Sequence, residues 1–413
     1  MGRFDEFALC VQGWFDGERH HAYPASFVVR SGRIAEVRDG DHFNDWVRRG
    51  VPAMSGGFLM PGLVDAHVHL FLDGAPTDGA TRSAHLKQPL EALTEAARRS
   101  ARQALDCGVT LVRDAGDRHG INNRIRDEAR NTAAGDRHGI NNRIRDEARN
   151  TADLARVRSG GLGVKRPKRY GAFMAADVAD EAAIRDSVAR LAGENDEIKL
   201  ILTGIIDFDA GAVTDQPQFD LDATRLVVET AKAHGRRTFA HCSGEKGLAI
   251  AARAGIGSIE HGFFMNRETL AVMRDNQVAW TPTFCPVHFQ WARPDAVGWS
   301  PATVGNLRRI LDQHTEHLRL ADEMGVTLLM GTDAGSMGVE HGYALFEEIA
   351  RYLEAGLSLE KTLRAATSTA RRHFGIEQSR LEVGAPFDAV LLDDSPFDDI
   401  QALRKPRKVW PQA

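Results

Sequence analysis

The stretch Gly62-Leu63-Val64-Asp65-Ala66-His67-Val68-His69-Leu70 is an apolar run ending on two histidines spaced i, i+2. Residues two apart on a strand point to one side, so His67 and His69 face a common interior point. Working outward, similar runs recur at Val109 to Asp114, Arg169 to Met174, Ile198 to Thr203, Arg237 to His241, Ser258 to His261, Val278 to Thr283 and Val326 to Asp333. Amphipathic stretches fall between them at Leu90 to Cys107, Asp180 to Leu191, Asp222 to His234, Glu245 to Ala254 and Thr303 to Met324, and most are stopped by a glycine. Strands alternating with helices feed a parallel sheet. With Leu63 to His69 the strand candidates number eight. The expected fold class is therefore α/β, with a (β/α)8 barrel over residues 61–376.

The two ends read differently. From Phe7 to about Val51 short β-type runs are broken by Gly and Asp turns, with no helix-length periodic stretch. After helical stretches at Tyr343 to Ala355 and Leu359 to Phe374, Val383 to Leu392 is a turn running into a strand. Residues 1–60 and 377–413 are expected to build one small β-sandwich domain from both chain ends.

At 413 residues the chain has room for such a barrel plus an accessory domain. Apolar residues at 43% and charged residues at 26% disfavour disordered, collagen-like and coiled-coil classes. The net charge of −5 offers no field for nucleic acid or an anionic membrane. Cys10, Cys107, Cys242 and Cys285 lie far apart, which disfavours a disulfide framework or a thiolate zinc site. The acidic start and the lack of a long apolar run lead to the expectation of a cytoplasmic protein. A small-molecule partner is expected, no nucleic acid and no membrane, with a homo-oligomer left open.

Residues 115–133 recur without a change as residues 134–152. Two copies are too few for a stacked-repeat fold. A continuous helix through both would rotate its apolar face by roughly 100° between copies. Two helices are expected, near Asn122 to Asn131 and Asn141 to Val157, with the surplus copy outside the barrel wall.

Alone, His67 and His69 are also what exposed or packed histidines give. The recurrence carries more: His241 closes Arg237 to His241, His261 closes Ser258 to His261, and Asp333 closes Val326 to Asp333. Four strands would thus end in imidazole or carboxylate ligands, at the end of the barrel where active sites sit. Lys199 stands inside the apolar run Ile198 to Ile201, and a buried ammonium must be paired, deprotonated or modified. Arg113 is read as pairing inside the barrel, Cys242 as a small packed residue, and His314 and His317 as part of a solvated helix face.

The stretches DAHVHL (65–70), GVTLVRDAG (108–116), EIKLILTG (197–204), FAHCSG (239–244), SIEHGFF (258–264), LLMGTDAG (328–335) and LEVGAPFDAVLL (381–392) resemble the amidohydrolase superfamily in its two-metal form. The wording is most similar to the branch of imidazolonepropionase-related proteins and Xaa-Pro or Xaa-Arg dipeptidases. The resemblance implies that His67 and His69 hold the more buried metal and His241 and His261 the more exposed one. It implies that Lys199, carboxylated by carbon dioxide, bridges both, and that Asp333 ligates the first and handles protons. The implied cofactors are two divalent ions, with zinc favoured by a set of imidazoles without thiolates. The implied activity is cleavage of a C–N amide bond in a dipeptide or N-acyl amino acid by a metal-bridging hydroxide.

Two alternatives stand beside it. One is a cyclic-amide hydrolase or deaminase acting on a heterocycle; the other is a catalytically silent metal-binding scaffold. Related deaminases carry a glutamate three residues after the histidine of the fifth strand, whereas Glu245 comes four after His241, and single-metal deaminases lack the lysine. His119 or His138, from the duplicated segment, and His341 are further candidates for substrate contact.

Overall fold

The computed structural model describes residues 6–76, 78–134, 153–376 and 380–411. Both chain ends meet in one mixed sheet. Strands β1 (Glu6–Phe15), β2 (His20–His21), β3 (Ala25–Arg30), β4 (Arg33–Asp39) and β5 (Ala53–Pro61) come from the start of the chain. Ala389–Leu392 pairs antiparallel with β5 and Lys408–Trp410 pairs antiparallel with Ala389–Leu392. Period-2 alternation on β1 sends Leu9 and Val11 to one face and Ala8 and Cys10 to the other. The first face is covered by Leu381 and Phe387, and the second by the helix Phe43–Arg48 through Trp46. The expected two-sheet sandwich is thus met by one seven-stranded sheet whose second face packs on that helix, an element absent from the sequence reading.

The middle of the chain is α/β with parallel sheets. β6 (Leu63–Val68), β7 (Val109–Asp114) and β8 (Arg156–Ser159) form one. β9 (Gly163–Lys165), β10 (Ala175–Asp177), β11 (Glu197–Ile201), β12 (Arg237–Cys242), β13 (Ser258–His261) and β14 (Ala279–Thr281) form the other, in the order β10-β9-β11-β12-β13-β14. Residues 327–334 run between the two without forming a regular strand. The Trp280 amide donates to Thr327 O at 2.9 Å, while the Ala66 and His69 amides donate to Met330 O and Ala334 O, each at 2.8 Å.

Several expectations change. Arg169 to Met174 is a turn, because Lys168 and Gly171 have left-handed φ of 61° and 104°, incompatible with a strand. The third parallel strand is β8, and its Arg156 and Val157 overturn the end of the helix expected over Asn141 to Val157; residues 141–152 of that helix, and His138, lie outside the described residues. The helix Ile121–Ala134 takes up most of the first repeat copy and ends on the first residue of the second, with Ile121 and Ile125 buried and Asp117 accepting the Ile121 and Asn122 amides. Leu359 to Phe374 splits into Leu359–Ala365 and Ser368–His373. The carbonyls of Ala365 and Ala366 are diverted to the amides of Met330 and Val64, which fastens the helix end under the sheet. No described helix is long and apolar enough to cross a membrane.

Candidate active site

The carboxyl ends of β6, β12 and β13 bring His67, His69, His241 and His261 onto the wall of one cavity of about 230 Å³, the middle of β11 brings Lys199, and residues 327–334 bring Asp333 there. His261 at the end of β13 and Asp333 in the irregular segment 327–334 have φ of 68° and 57° without being glycine. Such conformations cost about 1–3 kcal/mol and persist where surrounding structure over-determines them. Gly262 follows with φ of 70°, and a Cβ there would run into the Trp280 indole, so only glycine fits the turn that aims His261.

Each imidazole is oriented by one bond and keeps a ring nitrogen for the cavity. His67 Nδ1 donates to Glu260 Oε2 at 2.6 Å, which leaves Nε2 3.7 Å from Asp333 Oδ1. His69 Nδ1 lies 3.2 Å from the Gly116 carbonyl and its Nε2 3.5 Å from Asp333 Oδ1. His261 Nδ1 is 2.8 Å from Thr283 Oγ1, and His241 Nε2 is 3.3 Å from the Gly204 carbonyl. Burial drives all four far below the usual histidine range, His69 and His241 to about 3, so they stand as neutral imidazoles, the form that ligates metals. Donor atoms of His67, His69 and Asp333 lie within 4.8 Å of one another. The ring of His261 sits 4.9 Å from that of His67 and 4.6 Å from that of His241. Neutral imidazoles with bonded back nitrogens around a carboxylate are the arrangement that divalent metals require.

Lys199 is buried with its Nζ 4.7 Å from the centroid of the Phe239 ring. Burial pulls its ammonium down to about 8, with Glu260 pulling the other way. Asp333 is pushed up to about 7 by burial, opposed by Lys199.

Beneath the cavity lies a charged layer. Arg113 is fully buried and donates to Glu260 Oε1 at 2.7 Å, to Glu197 Oε2 at 3.2 Å and to the Ala66 carbonyl at 2.7 Å. This is the internal pairing expected for it. Glu260 therefore bridges Arg113 and His67, a role the sequence reading missed, although an acid inside Ser258-Ile259-Glu260-His261 carries the same burial signal that flagged Lys199. Asp65 was passed over too: it accepts the Thr332 hydroxyl at 2.6 Å and the Thr332 amide at 3.0 Å, which joins the segment carrying Asp333 to β6.

Other candidates lie elsewhere. His119 is exposed and does not line the cavity; its amide is held by Asp117 at 2.6 Å, which turns the residue outward at the start of the helix Ile121–Ala134. His341 is buried but lines a separate, smaller cavity, with Nε2 3.1 Å from the Leu72 carbonyl. Glu245 is exposed and is not part of the cavity wall, which sets it apart from a deaminase glutamate. Cys242 is buried and burial pushes its thiol up, as for a packed residue. His314 corrects the solvated-face reading: it is buried, stacked 3.9 Å from Phe263, with Nε2 3.0 Å from the Pro282 carbonyl.

The fold and this site define a hydrolase acting on carbon–nitrogen bonds, and the chain belongs to the amidohydrolase family, whose model matches residues 58–412. It is 30% identical over 323 residues to an uncharacterized protein of Mycobacterium tuberculosis, spanning 78% of this chain and 75% of that one. The ochratoxinase of Aspergillus niger is 25% identical over 381 residues, 85% of this chain and 73% of its own length. A crystal structure of that enzyme has a TM-score of 0.77 at 20% identity, covering 98% of this chain and 95% of the other. A Xaa-Pro dipeptidase crystallised with methionine in its active site has a TM-score of 0.78 at 23% identity, covering 98% of both chains. These structural likenesses speak to the fold.

Proposed function

We propose that this chain hydrolyses the amide bond of a dipeptide or N-acyl amino acid at a centre of two divalent ions, with zinc the best match to the imidazole set. The observation that carries the reading is the convergence of His67, His69, Lys199, His241, His261 and Asp333 on one cavity wall. His67, His69 and Asp333 would hold one ion, His241 and His261 the other, and a carboxylated Lys199 would join them. A lysine whose ammonium is lowered to about 8 by burial holds a larger share of neutral amine near neutral pH than an ordinary lysine, and that amine is the form carbon dioxide takes. The carbamate then removes the cost of a stranded cation.

When bound, the ions supply Lewis-acid polarisation of the carbonyl and acidify water. Asp333, on the cavity wall beside His67 and His69, would accept the proton of the attacking water and pass it to the departing amine nitrogen. Glu260 fixes the tautomer and aim of His67. The bonds from Thr327, Met330 and Ala334 to the flanking strands support a closed (β/α)8 barrel, with residues 61–376 as the catalytic unit and 1–60 plus 377–413 as the accessory one. Resemblance to a dipeptidase and an ochratoxinase supports the amide class of substrate.

Lys199→Ala is the test. It is expected to lose metal and activity, with partial return of both on adding short carboxylic acids. Full metal content and full activity in that variant would overturn the two-metal reading.

A further inference from the structure

The cavity wall has two cationic side chains, Lys199 and Arg82. In the reading above, on which this inference rests, Lys199 becomes an anion between metals, leaving Arg82 as the cation that faces substrate. Arg82 lies on the helix Gly79–Leu86, whose N-cap Asp78 accepts the Thr81 amide at 2.8 Å. One of its terminal nitrogens donates to the Gly335 carbonyl at 2.7 Å. Among the described residues no carboxylate lies within ion-pair distance of it, and Asp333 is the charge that supports its cation most. The guanidinium is therefore fastened to the loop that carries Asp333, two residues away, with donors to spare. Elsewhere the cavity wall carries a large apolar share, through Leu72, Phe173, Ile206, Phe208, Phe263 and Val287.

The reaction adds water to the carbonyl carbon, breaks the C–N bond and places a proton on the amine nitrogen. In an N-acyl amino acid that nitrogen and the carboxylate share one α-carbon, so the group protonating the nitrogen and the group holding the carboxylate must lie side by side. Asp333 and Arg82 are placed that way. We propose that Arg82 binds the α-carboxylate of the amino acid that leaves, and that the substrate is an N-acyl or N-aminoacyl derivative of an apolar amino acid with a free carboxylate. Planar two-pronged recognition of carboxylate is what arginine does and lysine does less well.

The test compares a panel of N-acyl-L-leucines with the matching N-acyl-L-leucinols, in which an alcohol replaces the carboxylate, on metal-loaded wild type, Arg82→Gln and Arg82→Lys. Wild type is expected to prefer the acids by about tenfold or more in kcat/KM, mostly through KM. Arg82→Gln should bring the preference to within about twofold, with Arg82→Lys in between. Equal use of acids and alcohols by wild type, or a preference that survives in Arg82→Gln, overturns the assignment while leaving amide hydrolysis standing. Turnover of neither series counts against the amide-hydrolase reading itself. Calorimetric binding of L-leucine against L-leucinol then decides on Arg82: a tenfold preference lost in Arg82→Gln supports it, and equal affinities remove it.

Discussion

Glu260 is the residue through which substitution should be felt furthest, because one buried carboxylate serves both His67 and Arg113. In Glu260→Gln the His67 imidazole loses its charged acceptor, and metal affinity is expected to fall about 10- to 100-fold. Arg113 keeps Glu197 but loses half of its compensation, so stability should fall by about 3 kcal/mol. Metal titration and urea unfolding of one preparation read both, and unchanged metal affinity would remove Glu260 from the site. Asp333→Asn keeps an oxygen donor but cannot carry the proton, so it should bind metal and turn over at least about 100-fold more slowly; a wild-type rate would take Asp333 out of the proton role. His314 gives a pH signature away from the proposed metal ligands. Burial holds it at about 3, so it is neutral in the fold and takes up a proton on unfolding below its ordinary 6.5. Its contribution to stability is complete above 6.5 and is lost as pH falls toward 3. The difference in unfolding free energy between wild type and His314→Asn, followed from pH 8 to 4, should shrink as pH falls; a difference independent of pH would contradict a neutral buried imidazole.

Among the elements, residues 327–334 hold Asp333 at a left-handed φ of 57°, and the sequence exposed them only in part. A Cβ on Gly331 would sit 2.5 Å from Thr281 Cγ2 and 2.8 Å from the His67 amide nitrogen. Gly331→Ala should push this segment away from β6, at a cost of about 1–3 kcal/mol and of metal bound per chain; urea unfolding and elemental analysis check it, and wild-type values for both would show that the approach is not needed. β6, β7, β11, β12 and β13 were legible because each carries buried apolar residues with a polar group at or close to its end, and burial on both faces imposes the apolar part. β8 was hidden, since Arg156-Val157-Arg158-Ser159 has one apolar residue and its arginines find partners such as Glu197, 2.9 Å from Arg158, only in three dimensions. His314 was misread because a helix with charged neighbours looks solvated until Phe263 is placed against it. Lys199 was legible alone, whereas Arg82 required the fold: nothing near it in sequence reveals that its helix reaches the cavity.

For the molecule as a whole, the repeated segment and the proposed metal centre pose the two global questions. The first copy is built into the fold: Arg98 donates to Glu128 at 2.6 and 2.7 Å, Arg130 donates to Asp196 at 2.7 Å, and Arg102 holds Asp153 where the described chain resumes. Deleting residues 134–152 should leave a folded protein with its unfolding midpoint nearly unchanged, and insolubility on deletion would show that the second copy is structural. The central claim concerns the proposed two-metal centre on the cavity wall. Its most direct measurement is the number of metal ions per chain by elemental analysis, made on the sample in which release of free amino acid from dipeptides and N-acyl amino acids is followed. The account predicts two ions per chain and turnover that disappears on chelation and returns with zinc; turnover that persists in metal-free protein would contradict it.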